Sequence, residues 1–182
     1  MNLYDFIGTQ NLEESAGLEV EVLIADYNDV ETWPALPSLS GGSNSAAYVD
    51  FGSATFTMKT GKKFLVFEGT LQKNGFTSEL KGAPESLSFE NMLKIARATM
   101  SLELLGWIRA NRNRKVVVGF KPLGSAKYLV LGYKGIPAQI VGANIDIPSE
   151  IQGEKMTSID IMSIYYPPMA IAALPITPAT AP

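Results

Sequence analysis

The chain has 182 residues, 46% of them hydrophobic and 18% charged, with 15 Lys+Arg against 18 Asp+Glu, a net charge of -3, and neither histidine nor cysteine. That length fits one domain with a sizeable core, and the apolar fraction argues against wholesale disorder. Without His and Cys, the Ser-His-Asp and Cys-His mechanisms, the commonest zinc sites and every disulfide are excluded. Carboxylate, Lys, Tyr or Ser-Lys chemistry, oxygen-ligand metal binding, or no chemistry at all remain.

Residues 1–17 read as an N-terminal arm. The first ten contain Asp5 and lack both a cationic leader and a long apolar run, so they do not look like a signal peptide, and no membrane partner is expected. A cytoplasmic site of synthesis and folding follows. Residues 18–25 begin with apolar and acidic residues in alternation, the pattern of a strand with one wet face. Residues 26–50 carry Asn28, Pro34, Pro37, Gly41, Gly42 and Asn44, which predicts a long irregular loop whose large apolar groups are Trp33 and Leu36.

Residues 53–59 and 63–71 both alternate, and the Gly61-Lys62 turn between them predicts a hairpin. Residues 76–81 can extend it. Residues 87–96 suit a strand broken by Asn91, while 89–100 also fit a helical period through Phe89, Met92, Leu93 and Ala96; periodicity leaves the two open. The clearest helix lies near 101–112, with Ser101 placed to cap it and Gly106 weakening it by about 1 kcal/mol relative to alanine. Arg109, Arg112, Arg114 and Lys115 read as its solvated C-terminal end. Short strands at 115–120, 128–133, 138–144 and 156–164 complete a mainly β domain over 18–165: an antiparallel sandwich or barrel with one flanking helix. Residues 166–182, rich in Pro and Ala, read as an arm with little structure of its own.

Candidate chemistry is sparse. Glu19 and Glu21 share a strand face about 7 Å apart, a spacing two catalytic carboxylates can use, although alternating acids more often form a solvent face. Asn144, Asp146, Glu150 and Asp160 offer oxygen ligands without a calcium-loop pattern. Ser78 and Lys81 sit three apart on a predicted strand, which points them to opposite faces. No catalytic, cofactor-binding or metal residues are assigned, and no cofactor is expected.

The order of elements carries a resemblance. The segment Met58 to Phe64, the stretch Ser88 to Met92, the helix Leu104 to Asn111, the strands Lys115 to Val118 and Lys127 to Gly132, and the turn Gly135 to Ala138 together resemble the tail tube (major tail) proteins of bacteriophages, in particular those of Bacteroidetes phages and prophages. The likeness spans about residues 50–165. It implies a virion protein without enzymatic activity, made in the host cytoplasm, whose copies form rings, commonly sixfold. The rings stack with other tail proteins into a tube through which DNA passes without sequence-specific binding. On that pattern the loop 26–50 bridges rings through Trp33 and Leu36, and Glu19 and Glu21 face the lumen, where they repel phosphates. A short Gly/Ser linker in place of 26–50 is then expected to spare folding and block stacking. The Pro- and Ala-rich arm departs from a terse tube subunit and leaves room for a tail terminator, a head–tail adaptor or a capsid decoration protein. A β-sandwich glycan-binding module using Trp33, Tyr48 and Tyr133 is the alternative from another class.

Overall fold

The computed structural model describes residues 17–40, 44–99, 101–149 and 155–178. In chain order these form β1 (Leu18–Asp26), β2 (Val30–Thr32), β3 (Thr57–Met58), β4 (Leu65–Glu68), β5 (Gly75–Lys81), β6 (Ser88–Arg97), α1 (Leu102–Asn111), β7 (Lys115–Pro122), β8 (Tyr128–Leu131), β9 (Ala138–Asp146), β10 (Met156–Tyr165) and β11 (Met169–Ile171). Every strand ladder is antiparallel. Residues 1–16 of the expected N-terminal arm lie outside the described residues.

β7 is the hub of a nine-stranded sheet. Its run of Val116, Val117 and Val118 is buried on both faces, so it reads as continuously apolar. Val118 pairs with Ile24 of β1 on one side and Leu131 of β8 on the other, whereas Val116 pairs with Asp26 and with Ala138 of β9. The sheet therefore splits beside β7, one branch continuing through β8 to β11 and the other through β9, β10 and β6 to β5; β4 lies beyond β1.

Alternation along the strands builds two cores. Val22, Ile24, Leu93, Ile95, Val116, Val118, Ile159 and Ile161 pack in one cluster, closed by Leu104, Trp107 and Ile108 of α1. The opposite face of β1 and β7 presents Leu23, Ala25 and Val117 to Phe56, Met58, Phe64 and Ile171 in the second. Residues from β1, β6, β7, β9 and β10 meet in the first cluster because the sheet curls, as twisted sheets do.

Several expectations hold. The helix lies where the capping pattern put it, with Ser101 Oγ accepting from the Leu104 N–H at 3.1 Å. The open 87–96 segment is strand β6, because Leu93 and Ile95 alternate into the first core. The fold is mainly antiparallel β with one helix among the described residues. The barrel is not formed: β4, β5 and β11 each end the sheet. The nearest approach to closure is local, where Ala96 takes the Thr70 N–H on its carbonyl at 2.7 Å and donates its own N–H to Asn74 Oδ1 at 3.0 Å.

Three expectations are corrected. The strands around Gly61 do not pair as a hairpin: β3 pairs with β2 and β4 with β1, since Phe56 and Met58 belong to the second core and need a separate layer over it. The 26–50 segment is not a free loop, because Val30 is buried, β2 lies within it, and two short 3-10 turns flank the β2 region at Tyr27–Asp29 and Ser45–Tyr48. A Gly/Ser replacement there removes Val30 from the second core, together with Tyr27, Trp33 and Val49 packed against it. Finally, the C-terminal arm has structure through Leu174, where β11 pairs with β8 and Met169, Ile171 and Leu174 are buried; residues 179–182 lie outside the described residues.

Candidate functional site

The most distinctive surface lies where β5, β6 and β10 run past the first core. Register places Phe76 beside Leu93, and Leu93 beside Ile161; this row is core. The next row on the same face is polar, with Ser78 beside Asn91 and Asn91 beside Ser163. Beyond it come Leu80, Phe89 and Tyr165 in register, Leu80 and Tyr165 being 57% and 56% exposed. One sheet face thus passes from core, across a polar belt, to an apolar overhang that nothing among the described residues fully covers.

Asn91 organises the belt. It is fully buried, accepts a 2.7 Å hydrogen bond from Ser78 Oγ on Oδ1, and donates from Nδ2 to the Tyr166 carbonyl at 2.7 Å. That last bond holds the chain where β10 ends. Tyr165 there has φ of +85°, a left-handed conformation that costs a non-glycine residue of order 1 kcal/mol or more and persists only when its surroundings fix it. Facing the overhang, Leu36, Leu39, Tyr48, Leu87 and Tyr166 enclose a groove of about 580 Å³ with no charged residue in its lining.

The other face of the overhang is ionic. Lys81 reaches both Glu90 and Glu79, and its pKa is raised, first by the hydrogen bond to Glu90. The wall opposite is pinned by Asp50, which pairs with Lys127 and accepts from the Gly52 N–H at 2.9 Å. The hydrogen bond from Lys127 is the largest cause holding the Asp50 carboxyl below its ordinary value.

The residues singled out in the sequence do not gather into one site. Glu19 is half-buried and ion-paired with Lys121 at 3.3 Å, while Glu21 stands opposite Glu68 on β4. The Trp33 indole packs inside its own chain, 5.0 Å from the Tyr27 ring, 5.5 Å from Phe56 and 5.7 Å from Tyr133. Leu36, three residues on, lines the groove. Burial raises the Tyr133 pKa, and its hydroxyl donates to the Pro34 carbonyl. A glycan platform of Trp33, Tyr48 and Tyr133 is therefore not assembled: two of its rings are packed against each other and Tyr48 faces the groove.

Arg109, Arg112, Arg114 and Lys115 are exposed, and Arg114 pairs with Asp26 at 3.1 Å. Ser78 and Lys81 point to opposite faces, toward Asn91 and Glu90. Among the described residues no three acidic side chains come together as a metal site, and Glu150 lies outside them. No helix among them is long and apolar enough to cross a membrane.

Sequence reasoning missed Phe89, Tyr165 and the organising role of Asn91. The signal was present in Asn91 itself, a polar residue interrupting an otherwise apolar inward set. No protein-family model, curated protein or solved structure matches the chain.

Proposed function

We propose that this chain is a structural subunit that assembles with copies of itself, as a tail tube subunit of a phage or phage-like particle forming stacked, sixfold rings around a channel for DNA. The observation carrying the proposal is two of the sheet's open edges: among the described residues, β4 is paired only to β1 and β5 only to β6. Open edges are pairing templates, and a protein that keeps them either protects them or uses them. Leu65 and Val66 on β4 are 54% and 49% exposed, which is poor protection for a strand that remains solitary.

Closing a ring by joining the β4 edge of one copy to the β5 edge of the next makes a heterologous interface, as cyclic assemblies require. Two half-buried carboxylates, Glu19 and Glu21, lie on β1 next to the β4 edge; repeated around a ring they give an acidic lining that lets DNA slide. With the Trp33 ring occupied within its own chain, Leu36 is the member of the proposed ring-bridging pair left at the surface.

Electron microscopy of the purified chain at rising concentration tests the proposal. Rings or stacked tubes are expected. A chain that stays a dispersed monomer throughout contradicts it.

A further inference from the structure

The direction in which one copy meets the next follows from the order of the strands. The path from β5 through β6, β10, β9, β7 and β1 to β4 has seven members, and every neighbouring pair in it is antiparallel. An odd antiparallel path begins and ends with strands running the same way, so β4 and β5 share one direction along the sheet. A ring repeats its copies with the same face inward and the same order of strands. Those two conditions together preserve strand direction. A β4 edge that continues into the β5 edge of the next copy therefore meets it in parallel.

Backbone groups on β4 are open to that contact. Gly69 sends its N–H to the Val20 carbonyl on β1, so along the alternating backbone Leu65 and Phe67 turn toward β1 while Phe64, Val66 and Glu68 turn outward. The Phe64 N–H follows that outward direction and reaches the Pro175 carbonyl at 2.9 Å. Val66 and Glu68 have no strand on that side among the described residues. Side chains then choose the register. Leu65 and Phe67 stand on the first-core face, as do Phe76, Ser78 and Leu80 of β5. With those faces kept together, two parallel registers lay the whole of β4 against β5: one sets Glu68 opposite the neighbour's Glu79, the other opposite its Lys81. Glu68 already faces Glu21 on β1 and has no ion pair among the described residues, so a second acid opposite it is destabilising. Lys81 is about half exposed and reaches Glu79 and Glu90, and an ammonium has three donors, so one more carboxylate can join it. The same register sets Phe67 opposite Leu80. Phe67 is backed by the Trp107 ring at 5.5 Å, and Leu80 ends the exposed row of Tyr165 and Phe89, so the overhang of one copy continues onto an aromatic pair of the next.

We infer that copies join by parallel pairing of β4 with residues 78–81 of a neighbour's β5, Phe67 opposite Leu80 and Glu68 opposite Lys81. The inference rests on the self-assembly reading and fixes the direction and register of its contact.

The chain has no cysteine, so introduced thiols report the contact without background. Full chains carrying one cysteine each are mixed in pairs, oxidised, and the mixed disulfides identified by mass. Glu68→Cys with Lys81→Cys and Val66→Cys with Glu79→Cys should cross-link. Glu68→Cys with Thr77→Cys should not, because residues 77 and 81 lie about 13 Å apart along a strand and a disulfide tolerates at most about 7 Å between Cα atoms. An antiparallel seam gives the second and third links instead of the first. Leu80→Asp, at a 57% exposed position, and Val66→Pro, which removes an outward N–H and leaves the β1 ladder, should each raise the concentration for half-assembly about tenfold or more.

Both expected links without the third, together with impaired assembly of Leu80→Asp, uphold the inference. Any other combination in a parent chain whose particle mass rises with concentration overturns the parallel β4–β5 seam and leaves the assembly reading standing. A parent chain that stays monomeric at every concentration overturns the assembly reading and the seam with it.

Discussion

Asn91 shows how one polar side chain divides a sheet face into core and surface. A buried amide is tolerated only when its hydrogen-bonding groups are used, and Asn91 uses both ends, on Ser78 and on the Tyr166 carbonyl. Asn91→Ala should cost about 2 kcal/mol in chemical denaturation, the lost bonds adding to an unfilled space. A loss under about 0.5 kcal/mol, the range of ordinary surface changes, shows that the latch does not hold the end of β10. Asp50 makes a pH-dependent counterpart on the opposite wall. Its carboxyl titrates below the ordinary value of 3.8 when folded, chiefly through the hydrogen bond from Lys127. A depressed carboxylate contributes stability above the unfolded pKa and loses it as pH falls through the folded one. The melting-temperature gap between the parent chain and Asp50→Asn should therefore be full at neutral pH and close below about pH 4. A gap unchanged down to about pH 2 contradicts the pairing.

Elements were legible in the sequence to the extent that their burial pattern was local. α1 could be read because its cap and period are contained in about ten residues, and the solvated cations beyond it followed. Gly106 was expected to weaken it unless something approached closely; a methyl group there meets nothing within 4 Å. Gly106→Ala should thus raise stability by about 1 kcal/mol, measured by thermal or urea unfolding, and a loss would point to an unseen neighbour. The hairpin around Gly61 was misread because alternation gives a strand's faces but not its partner: β3 and β4 pair with β2 and β1, more distant in sequence than each other. The C-terminal arm was misread for a related reason. Composition sees Pro and Ala, while the second core buries Met169, Ile171 and Leu174 from the arm with Tyr166 packed against it, and Gly119 leaves the slot that Leu174 fills. Leu174→Ala should cost about 3 kcal/mol, as buried leucines do; a change near zero contradicts the core role of the arm.

At the scale of the whole molecule, among the described residues, the open edge of β4 lies at one end of the curled sheet, and the open edge of β5 with the apolar overhang beside it lies at the other. That separation suits growth by head-to-tail contact and not a closed pair, because complementary surfaces on different sides leave one of each kind open after every addition. The site was only partly legible in the sequence. Leu36 was marked as a large apolar group without a core, and it does line the groove; Trp33, marked with it, is tied to Tyr27, Phe56 and Tyr133 through contacts that no local pattern reveals. Phe89 and Tyr165 become a surface only when β6 and β10 are paired in register. The net charge of -3 per chain repeats with every copy added, so assembly should weaken at low salt and strengthen as repulsion is screened. Particle mass in solution as a function of chain concentration distinguishes a self-assembling subunit from a solitary one. A self-assembling subunit should rise with concentration from 19.6 kDa to a fixed multiple of it, six for a ring of the expected order, and then to stacked species. A mass that stays at the single chain across the whole range would contradict it.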